Sequence, residues 1–370
     1  MNKIVIGAGF GDEGKGMFVD YLCSQSPNSL VIRFSGGQQA GHTVVTDTVS
    51  HVFSNFGSGT LQGASTYWSK YCTVEPIGLI KELKILQNKG INPLIFIDER
   101  CPITTPYDIR NNRDLEKRNS HGSCGVGVGS TIAREEKYYS LTFLDLFYPD
   151  VLKTKMMAIE NFYGGVPLDL REFVNCCTEI VTTQNIKRTL SFPTYKYKHY
   201  IFEGSQGLLL DQHFGFFPHV TRSNTGCKNV VELLNNNDFE MYLITRAYQT
   251  RHGHGFMSNK QIPQNIARNP LETNEDNEYQ GKFRRTILDV SLLEYAINKD
   301  QYIRKVKRKN LVITCLDHIK NEYRFTYKGD IINCKNAGEF VSKISNILNI
   351  NTIYLSRTNN SKNIKKVSYR

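Results

Sequence analysis

A short apolar run, Lys3-Ile-Val-Ile6, opens into the glycine-rich stretch Gly7 to Gly16 and then into the apolar run Met17 to Cys23. A buried strand passing through glycines into a helix leaves few architectures open. Glycines let the backbone approach a ligand closely, and the helix start that follows offers amide donors to an anion. A second strand, Leu30 to Phe34, ends at another glycine turn, Gly36-Gly-Gln-Gln-Ala-Gly-His42. This order is that of a parallel α/β sheet. Pro76 to Asn88 reads as an amphipathic helix, and Pro93 to Asp98 as a buried strand entering a polar loop from Cys101 to about Ser130, predicted to close on a ligand. Tyr200-Ile-Phe-Glu203, Met241-Tyr-Leu-Ile-Thr245 and Leu311-Val-Ile-Thr-Cys-Leu316 are further short strands, each running into a polar loop. In open α/β sheets ligands bind beyond the carboxyl ends of such strands. The fold expected is therefore α/β: a mostly parallel central sheet flanked by helices, with a P-loop-like phosphate loop after the first strand. It is expected to form one domain over 1–370, with smaller inserted subdomains around 101–200.

Composition narrows the class. With 370 residues, 40% of them hydrophobic, the chain has material for a sizeable core, which excludes a disordered or fibrous protein. The net charge of +11 suits anionic ligands or a nucleic-acid surface alike. Much of it sits in Arg304 to Lys309 and in Lys362 to Arg370, which read as solvated faces, so no nucleic-acid partner is expected. The nine cysteines form no Cys-x-x-Cys pair, which signals neither a zinc site nor a disulfide framework but reduced thiols. No apolar run approaches membrane-spanning length and the first residues are too short for a signal segment, so a cytoplasmic protein with no membrane partner is expected.

The first glycine loop fits two motifs. Gly9-Phe-Gly-Asp-Glu-Gly14 matches the dinucleotide fingerprint, but the second strand lacks the acidic residue that would hold a ribose hydroxyl. Gly9 to Gly14 followed by Lys15 matches the first seven positions of a P-loop, with Gly16 where a magnesium-binding Ser or Thr belongs. Asp12 is the oxygen donor within reach to replace that hydroxyl. A purely structural turn would leave the lysine and both acids unexplained.

The run Gly11-Asp-Glu-Gly-Lys-Gly16, then Gly36-Gly-x-x-Ala-Gly-His-Thr43, Gly57-Ser-Gly59, Gly125-x-Gly-x-Gly129, Glu203-Gly-Ser-Gln-Gly207, Pro218-x-Val-Thr-x-Ser-Asn-Thr225, Thr250-Arg-x-Gly-x-Gly255 and Thr314-x-Leu-Asp317 resembles the adenylosuccinate synthetase family, in its order and over most of the chain. The resemblance implies a carbon-nitrogen ligase that joins L-aspartate to C6 of a 6-oxopurine nucleotide, IMP by default. The γ-phosphoryl group of a triphosphate, GTP by default, first passes to O6 with Mg2+ present, and the aspartate amine then displaces phosphate. By the same resemblance Asp12 is the base that takes the N1 proton and, with the Gly41 carbonyl, a magnesium ligand, and His42 supports the transferring phosphoryl group. Gly11, Glu13, Gly14, Lys15, Gly16, Gly41, His42 and Thr43 are implied for the triphosphate, with Asp317 on its base and Ser356 nearby. Gln206 is implied for the acceptor base and in catalysis beside Lys15, and Thr221 for its 5′-phosphate. Gln39, Ser123 and Cys124 stand where the family carries Asn and two threonines. Arg134 matches an arginine lent to the neighbouring subunit of a homodimer, or is an ordinary helix-surface charge. Gln280-Gly-Lys-Phe-Arg-Arg-Thr286 departs from the family's aspartate loop but leaves Arg284 and Arg285 as carboxylate partners. Phage-type relatives perform the same chemistry on dGMP or GMP, and the altered positions Gln39, Ser123, Cys124 and Arg222 keep that acceptor open, as Cys315 keeps ATP open as donor. A non-catalytic nucleotide-binding protein is the rival of another class; the joint presence of Asp12, Lys15, His42 and Gln206 weighs against it.

Overall fold

The computed structural model describes all residues except 1, 120–121, 194–195, 237, 268–271, 273, 275, 277–278, 321 and 370. Its strands are β1 (Asn2–Gly7), β2 (Ser29–Arg33), β3 (His42–Val45), β4 (Ser50–Phe53), β5 (Ser65–Trp68), β6 (Ile95–Asp98), β7 (Ile186–Thr189) and β8 (His199–Gly207). There follow β9 (Phe239–Arg246), β10 (Tyr248–His252), β11 (Phe283–Asp289), β12 (Arg308–Thr314), β13 (Arg324–Tyr327), β14 (Asp330–Asn333), β15 (Thr352–Leu355) and β16 (Lys365–Ser368). Ten of them form the main sheet in the order β16-β15-β12-β9-β1-β8-β2-β5-β6-β7. Every neighbouring pair is parallel except β15 with β16. Strand β1 lies in the interior and is buried on both faces: Ile4 and Ile6 enter one core cluster and Val5 another. That double burial is why its sequence is a continuous apolar run.

Helix α1 (Lys15–Ser24) follows the first glycine loop, and its Gly14 cap has φ 89°, a conformation glycine adopts without strain. No side chain caps this end and no acid lies in its first turn, so its amides remain available to an anion. Helix α2 (Pro76–Asn88) matches the amphipathic segment read from sequence and is capped by Glu75, whose carboxylate accepts from the Ile77 and Gly78 amides.

The stretch from Cys101 to Ser130 departs from the expected polar loop, because most of it is helical: α3 (Pro106–Asn119) and α4 (Val128–Glu135). The inward face of α3 carries Asp108, Asn112 and Glu116 at four-residue spacing, all buried. A helix that turns polar groups inward shows no apolar stripe, so periodicity could not reveal it. Between β6 and β8 the chain also forms α5 (Pro149–Phe162), α6 (Arg171–Thr182) and β7, within the region expected to hold insertions. No helix among the described residues is long and apolar enough to cross a membrane.

The P-loop departure at Gly16 has a packing cause. A Cβ there would lie 2.8 Å from the His42 Cβ and 3.0 Å from the Ser58 hydroxyl, because β3 presses directly on α1. Gly16→Ser is therefore expected to lower stability by about 1–3 kcal/mol through overpacking. Thermal melting tests this, and an unchanged melting temperature would refute the close packing.

Candidate active site

The carboxyl ends of β1, β2, β8, β9 and β12 open into one cavity of about 770 Å³, within the roughly 300–1,000 Å³ typical of small-molecule sites. Asp12, from the first glycine loop, and His42, from the second turn, both line it. Asp12 has φ 62°, a left-handed conformation uncommon for a non-glycine residue. Neighbours hold this bend: Arg246 Nε donates to the Asp12 carbonyl at 2.5 Å, and the Thr250 hydroxyl donates to the Gly11 carbonyl at 3.3 Å. The Asp12 carboxylate is thus directed into the cavity, with His252 Nε2 at 3.4 Å from Oδ2.

His42 is fixed from behind. Its Nδ1 lies 2.6 Å from Glu203 Oε1, while its buried Nε2 has no protein partner and borders the cavity. Glu203 also accepts from the Ser58 amide at 3.1 Å and from the Ser58 hydroxyl. Burial lowers the His42 pKa against the opposing pull of Glu203. Burial alone would raise the Glu203 pKa, but His42, Arg33 and Ser58 together hold it down at about 2. The resting pair is then a neutral imidazole donating from Nδ1 to a carboxylate. In sequence Glu203 ends the apolar run Tyr200 to Glu203 and heads a glycine motif; an acid inside a buried parallel strand was the available signal.

Lys15 borders the cavity, and its ammonium lies 2.9 Å from Glu13 Oε2. Glu13 itself does not line that cavity as expected. Its carboxylate folds beneath the loop and accepts from the Gly9 and Gly11 amides at 3.1 and 2.8 Å. Glu13 shapes the loop and orients Lys15, and Gly11, Gly14, Gly16, Gly41 and Thr43 complete this wall of the cavity.

The cavity is lined as well by Gln39, Gln206, Ser123, Cys124 and Thr221. Both polar atoms of the Gln39 amide and the Gln206 carbonyl oxygen are buried without a protein partner. Buried polar groups rarely stay unpaired, so a polar ligand is the natural complement. Ser123 accepts from Asn112 of α3 at 2.9 Å. Burial pushes the Cys124 thiol up to about 12, so it stays a neutral donor where the family has a hydroxyl.

Arg284, Arg285, Ser356 and Arg134 do not line the cavity. Arg284 donates to the His254 and Gly255 carbonyls, and Arg285 is exposed. Their place at the wall is taken by Arg251, opposite Arg284 in the β10–β11 register, and by Arg246. Arg251 gives its bonds to the Phe256 and His219 carbonyls and stacks on Phe10. Burial, then the charge of Arg284, lowers its pKa to about 10, which leaves it cationic at neutral pH. The Ser356 hydroxyl turns inward to the Thr358 carbonyl, and Thr358 and Asn359 reach the cavity instead. Arg134 is neither a surface charge nor an outward finger: it is fully buried, ion-paired with Asp108 at 3.0 Å and Glu135 at 2.8 Å, and bonded to the Ile103 carbonyl. Asp317 does line the cavity, at a turn where Cys315 adopts φ 57° and ends β12 two residues before the expected boundary.

For a metal ion, no cluster of three or more His, Cys, Asp or Glu exists among the described residues. Asp12 and Gly41 instead border the same cavity beside the phosphate loop. One carboxylate with one backbone oxygen fits Mg2+, which takes few protein ligands and shares its shell with phosphates and water.

Fold and cavity together define an α/β protein in which two glycine turns wall one cavity beyond the carboxyl ends of a parallel sheet. The sequence profile of the family described as adenylosuccinate synthetase matches residues 4–368. The chain belongs to the adenylosuccinate synthetase family. An adenylosuccinate synthetase of Borrelia duttonii (strain Ly) is 33% identical over 237 residues, which cover 60% of this chain and 55% of that protein. The chain thus matches about half the length of that relative. The fully ligated adenylosuccinate synthetase from Plasmodium falciparum has a TM-score of 0.79 at 17% identity, covering 100% of this chain and 99% of that one. Succinoaminodeoxyadenylate synthetase (PurZ) of cyanophage S-2L, bound to dGMP and to dATP as an energy donor, has a TM-score of 0.65 at 13% identity, covering 98% and 94%. At these identities the two structures speak for a common fold.

The Glu203 pKa sets a pH test. A carboxylate near 2 when folded, against 4.5 when free, stabilises the fold above pH 4.5 and loses that contribution as pH falls toward 2. Glu203→Gln is expected to cost about 3 kcal/mol at neutral pH. The gap between variant and wild-type denaturation curves should narrow on acidification; a gap constant with pH would contradict the assigned ionisation.

Proposed function

We propose that the protein is a carbon-nitrogen ligase joining L-aspartate to C6 of IMP, with GTP converted to GDP and phosphate. The observation that carries this reading is the convergence of the Asp12 carboxylate and the unpartnered His42 Nε2 on one cavity beside the Lys15 loop. Binding alone requires neither. Hydroxide-like leaving groups depart poorly, so O6 must first be phosphorylated. In that step Asp12 accepts the N1 proton as O6 attacks the γ-phosphorus and the bond to the β-phosphate oxygen breaks. His42 Nε2 borders the phosphoryl position. The negative charge of a bound triphosphate draws a proton to Nε2, which then donates while Glu203 balances the imidazolium. The aspartate amine next attacks C6, expels phosphate and releases its proton. Gln206 and Gln39 supply amides for the acceptor nucleotide, and Thr221, Ser123 and Cys124 donors for its phosphate. Lys15 and the α1 amides hold the triphosphate, and Asp317 its base. Bound Mg2+, held by Asp12 and the Gly41 carbonyl, would neutralise phosphate charge.

Arg251 is the aspartate partner this reading favours over Arg284 and Arg285. It borders the cavity and has no ion pair among the described residues, so a substrate carboxylate supplies the missing anion. The family resemblance supports a homodimer in the cytoplasm; Arg134, tied to Asp108, is not free to reach a neighbouring site in this conformation. A second acceptor, dGMP or GMP, is favoured by the altered wall positions Gln39, Cys124 and Arg222 and by the likeness to the cyanophage enzyme.

Triphosphate consumption is expected only when aspartate and a 6-oxopurine nucleotide are both present. Mass analysis of products from IMP, GMP and dGMP distinguishes the acceptors, and release of phosphate without aspartate would sink the ligase reading. Asp12→Asn should lower kcat roughly a thousandfold with the melting temperature preserved, and His42→Asn should lower kcat by a similar factor at some cost in stability, since the buried Glu203 loses its imidazole partner; near-normal turnover in either removes its role. Arg251→Leu should raise the aspartate KM at least about tenfold and leave the nucleotide KM values nearly constant. Equal changes in all three KM values would instead indicate general disruption.

A further inference from the structure

A phosphate monoester carries about 1.5 to 2 negative charges at neutral pH, and the side chains assigned to it above, Thr221, Ser123 and Cys124, are all neutral donors. They also stand in an unfavourable field: besides burial, the carboxylates of Asp12 and Glu116 push the Cys124 thiol up. Both acids line the same cavity. A dianion settled there needs a cation. Among the described residues the cationic side chains lining the cavity are Lys15, Arg222, Arg246 and Arg251. Lys15 is held to Glu13 under the first glycine loop, and Arg246 is fixed by Glu272 and the Asp12 carbonyl. Arg251 is anchored to the Phe256 and His219 carbonyls. Arg222, by contrast, is held loosely. It follows Thr221 directly in the chain and is more than half exposed, with Nη1 2.9 Å from Glu136 Oε2. Glu136 caps the end of α4, is itself more than half exposed and lies outside the cavity lining. So solvated a pair contributes little, and a stronger anion can take the guanidinium from it.

We propose that Arg222 binds the 5′-phosphate of the acceptor nucleotide from within the same chain, and that Glu136 holds its guanidinium at the rim until that phosphate arrives. This rests on the reading of Thr221, Ser123 and Cys124 as the acceptor's phosphate site. A guanidinium presents paired N–H donors that match two phosphate oxygens. Its Cα stands about 3.8 Å from that of Thr221, and both residues line the wall, so rotation of the side chain carries the fork from rim to phosphate with no movement of the backbone. Carboxylate and phosphate compete for one fork. The phosphate prevails because it carries the greater charge and gains the neutral donors as well. Arg134 cannot take this part, buried as it is against Asp108 and Glu135. An acceptor site completed by Arg222 needs no arginine from a second copy of the chain.

Calorimetric titration of the full chain with IMP and dGMP, each beside its nucleoside, inosine or deoxyguanosine, tests this. Wild type is expected to bind the monophosphate at least about a hundredfold more tightly than the nucleoside. Arg222→Ala should weaken the monophosphate at least about tenfold and leave the nucleoside and MgGTP affinities unchanged; Arg222→Lys, which keeps the charge but not the fork, should restore part of the loss. Glu136→Gln removes the competitor and should tighten the monophosphate about two- to fivefold, an effect that disappears in the Arg222→Ala background. Both side chains are exposed, so these variants are expected to fold. Unchanged monophosphate affinity in Arg222→Ala would overturn the proposal, as would equal loss for nucleotide and nucleoside, or a Glu136→Gln variant that binds no more tightly than wild type. Phosphate-dependent binding lost on Arg222→Ala, in a protein that ligates no acceptor, would uphold it while the ligase reading failed. Full turnover by Arg222→Ala at an unchanged acceptor KM would do the reverse, and a wild type that binds neither monophosphate would overturn both.

Discussion

The contact between Glu203 and His42 ties the main sheet to the second glycine turn, and much of the site depends on it. Glu203 sits inside β8, between β1 and β2, and reaches across to an imidazole that opens β3. The same carboxylate gathers Ser58, so three distant segments meet at one buried anion. For β3 to stand close enough, α1 must present no side chain at position 16, where a Cβ would strike His42. Loss of the P-loop hydroxyl and gain of a cavity-facing imidazole are thus two sides of one packing decision. Asp12, whose left-handed backbone is held by Arg246 from β9, brings a carboxylate to the same loop.

Four fully or nearly buried arginines show how this interior manages charge. Burying a guanidinium costs several kcal/mol unless something answers it. Arg134 is answered by Asp108 and Glu135, and Arg246 by Glu272 at 2.5 Å, with the Tyr248 hydroxyl alongside. Arg33 has no hydrogen-bond partner, but it lies beside Glu203 in the β2–β8 register and above the Trp68 ring. Its charge helps hold Glu203 ionised. Arg251 alone of the four borders the cavity with carbonyls and an aromatic ring as its company. Electrostatically the first three have an acid beside them, whereas Arg251 has no ion pair among the described residues.

The strands and loops around β1 were legible because parallel strands buried on both faces spell continuous apolar runs, and because glycines mark where the backbone bends toward a ligand. The resemblance carried by those loops located Asp12, Lys15, His42, Gln39, Gln206, Thr221 and Asp317, all of which line one cavity. What escaped was decided by partners remote in sequence. Helix α3 hid because Asp108, Asn112 and Glu116 face inward, where periodicity looks for apolar residues. Glu13 reads like a ligand-facing acid until the backbone curls over it, and Arg134 like a surface charge until Asp108 appears beneath it. Arg251 was visible only as one position of a glycine motif; its pairing with Arg284 across β10 and β11 is what moves it to the cavity wall in place of the arginines nearer the expected loop.

That placement sets a guanidinium on the cavity wall although the stretch Gln280 to Thr286 departs from the family's pattern. A carboxylate grip needs one guanidinium of fixed orientation, not a particular loop. Arg251 is oriented by carbonyls of Phe256 and His219, and Gly255 leaves room for it, since a Cβ there would lie 2.0 Å from the Arg251 Nη2. The glycine of Thr250-Arg-x-Gly-x-Gly255 is therefore a packing requirement of the arginine four residues before it. A side chain at position 255 would push the guanidinium from the wall, and with it a cation that no carboxylate among the described residues pairs.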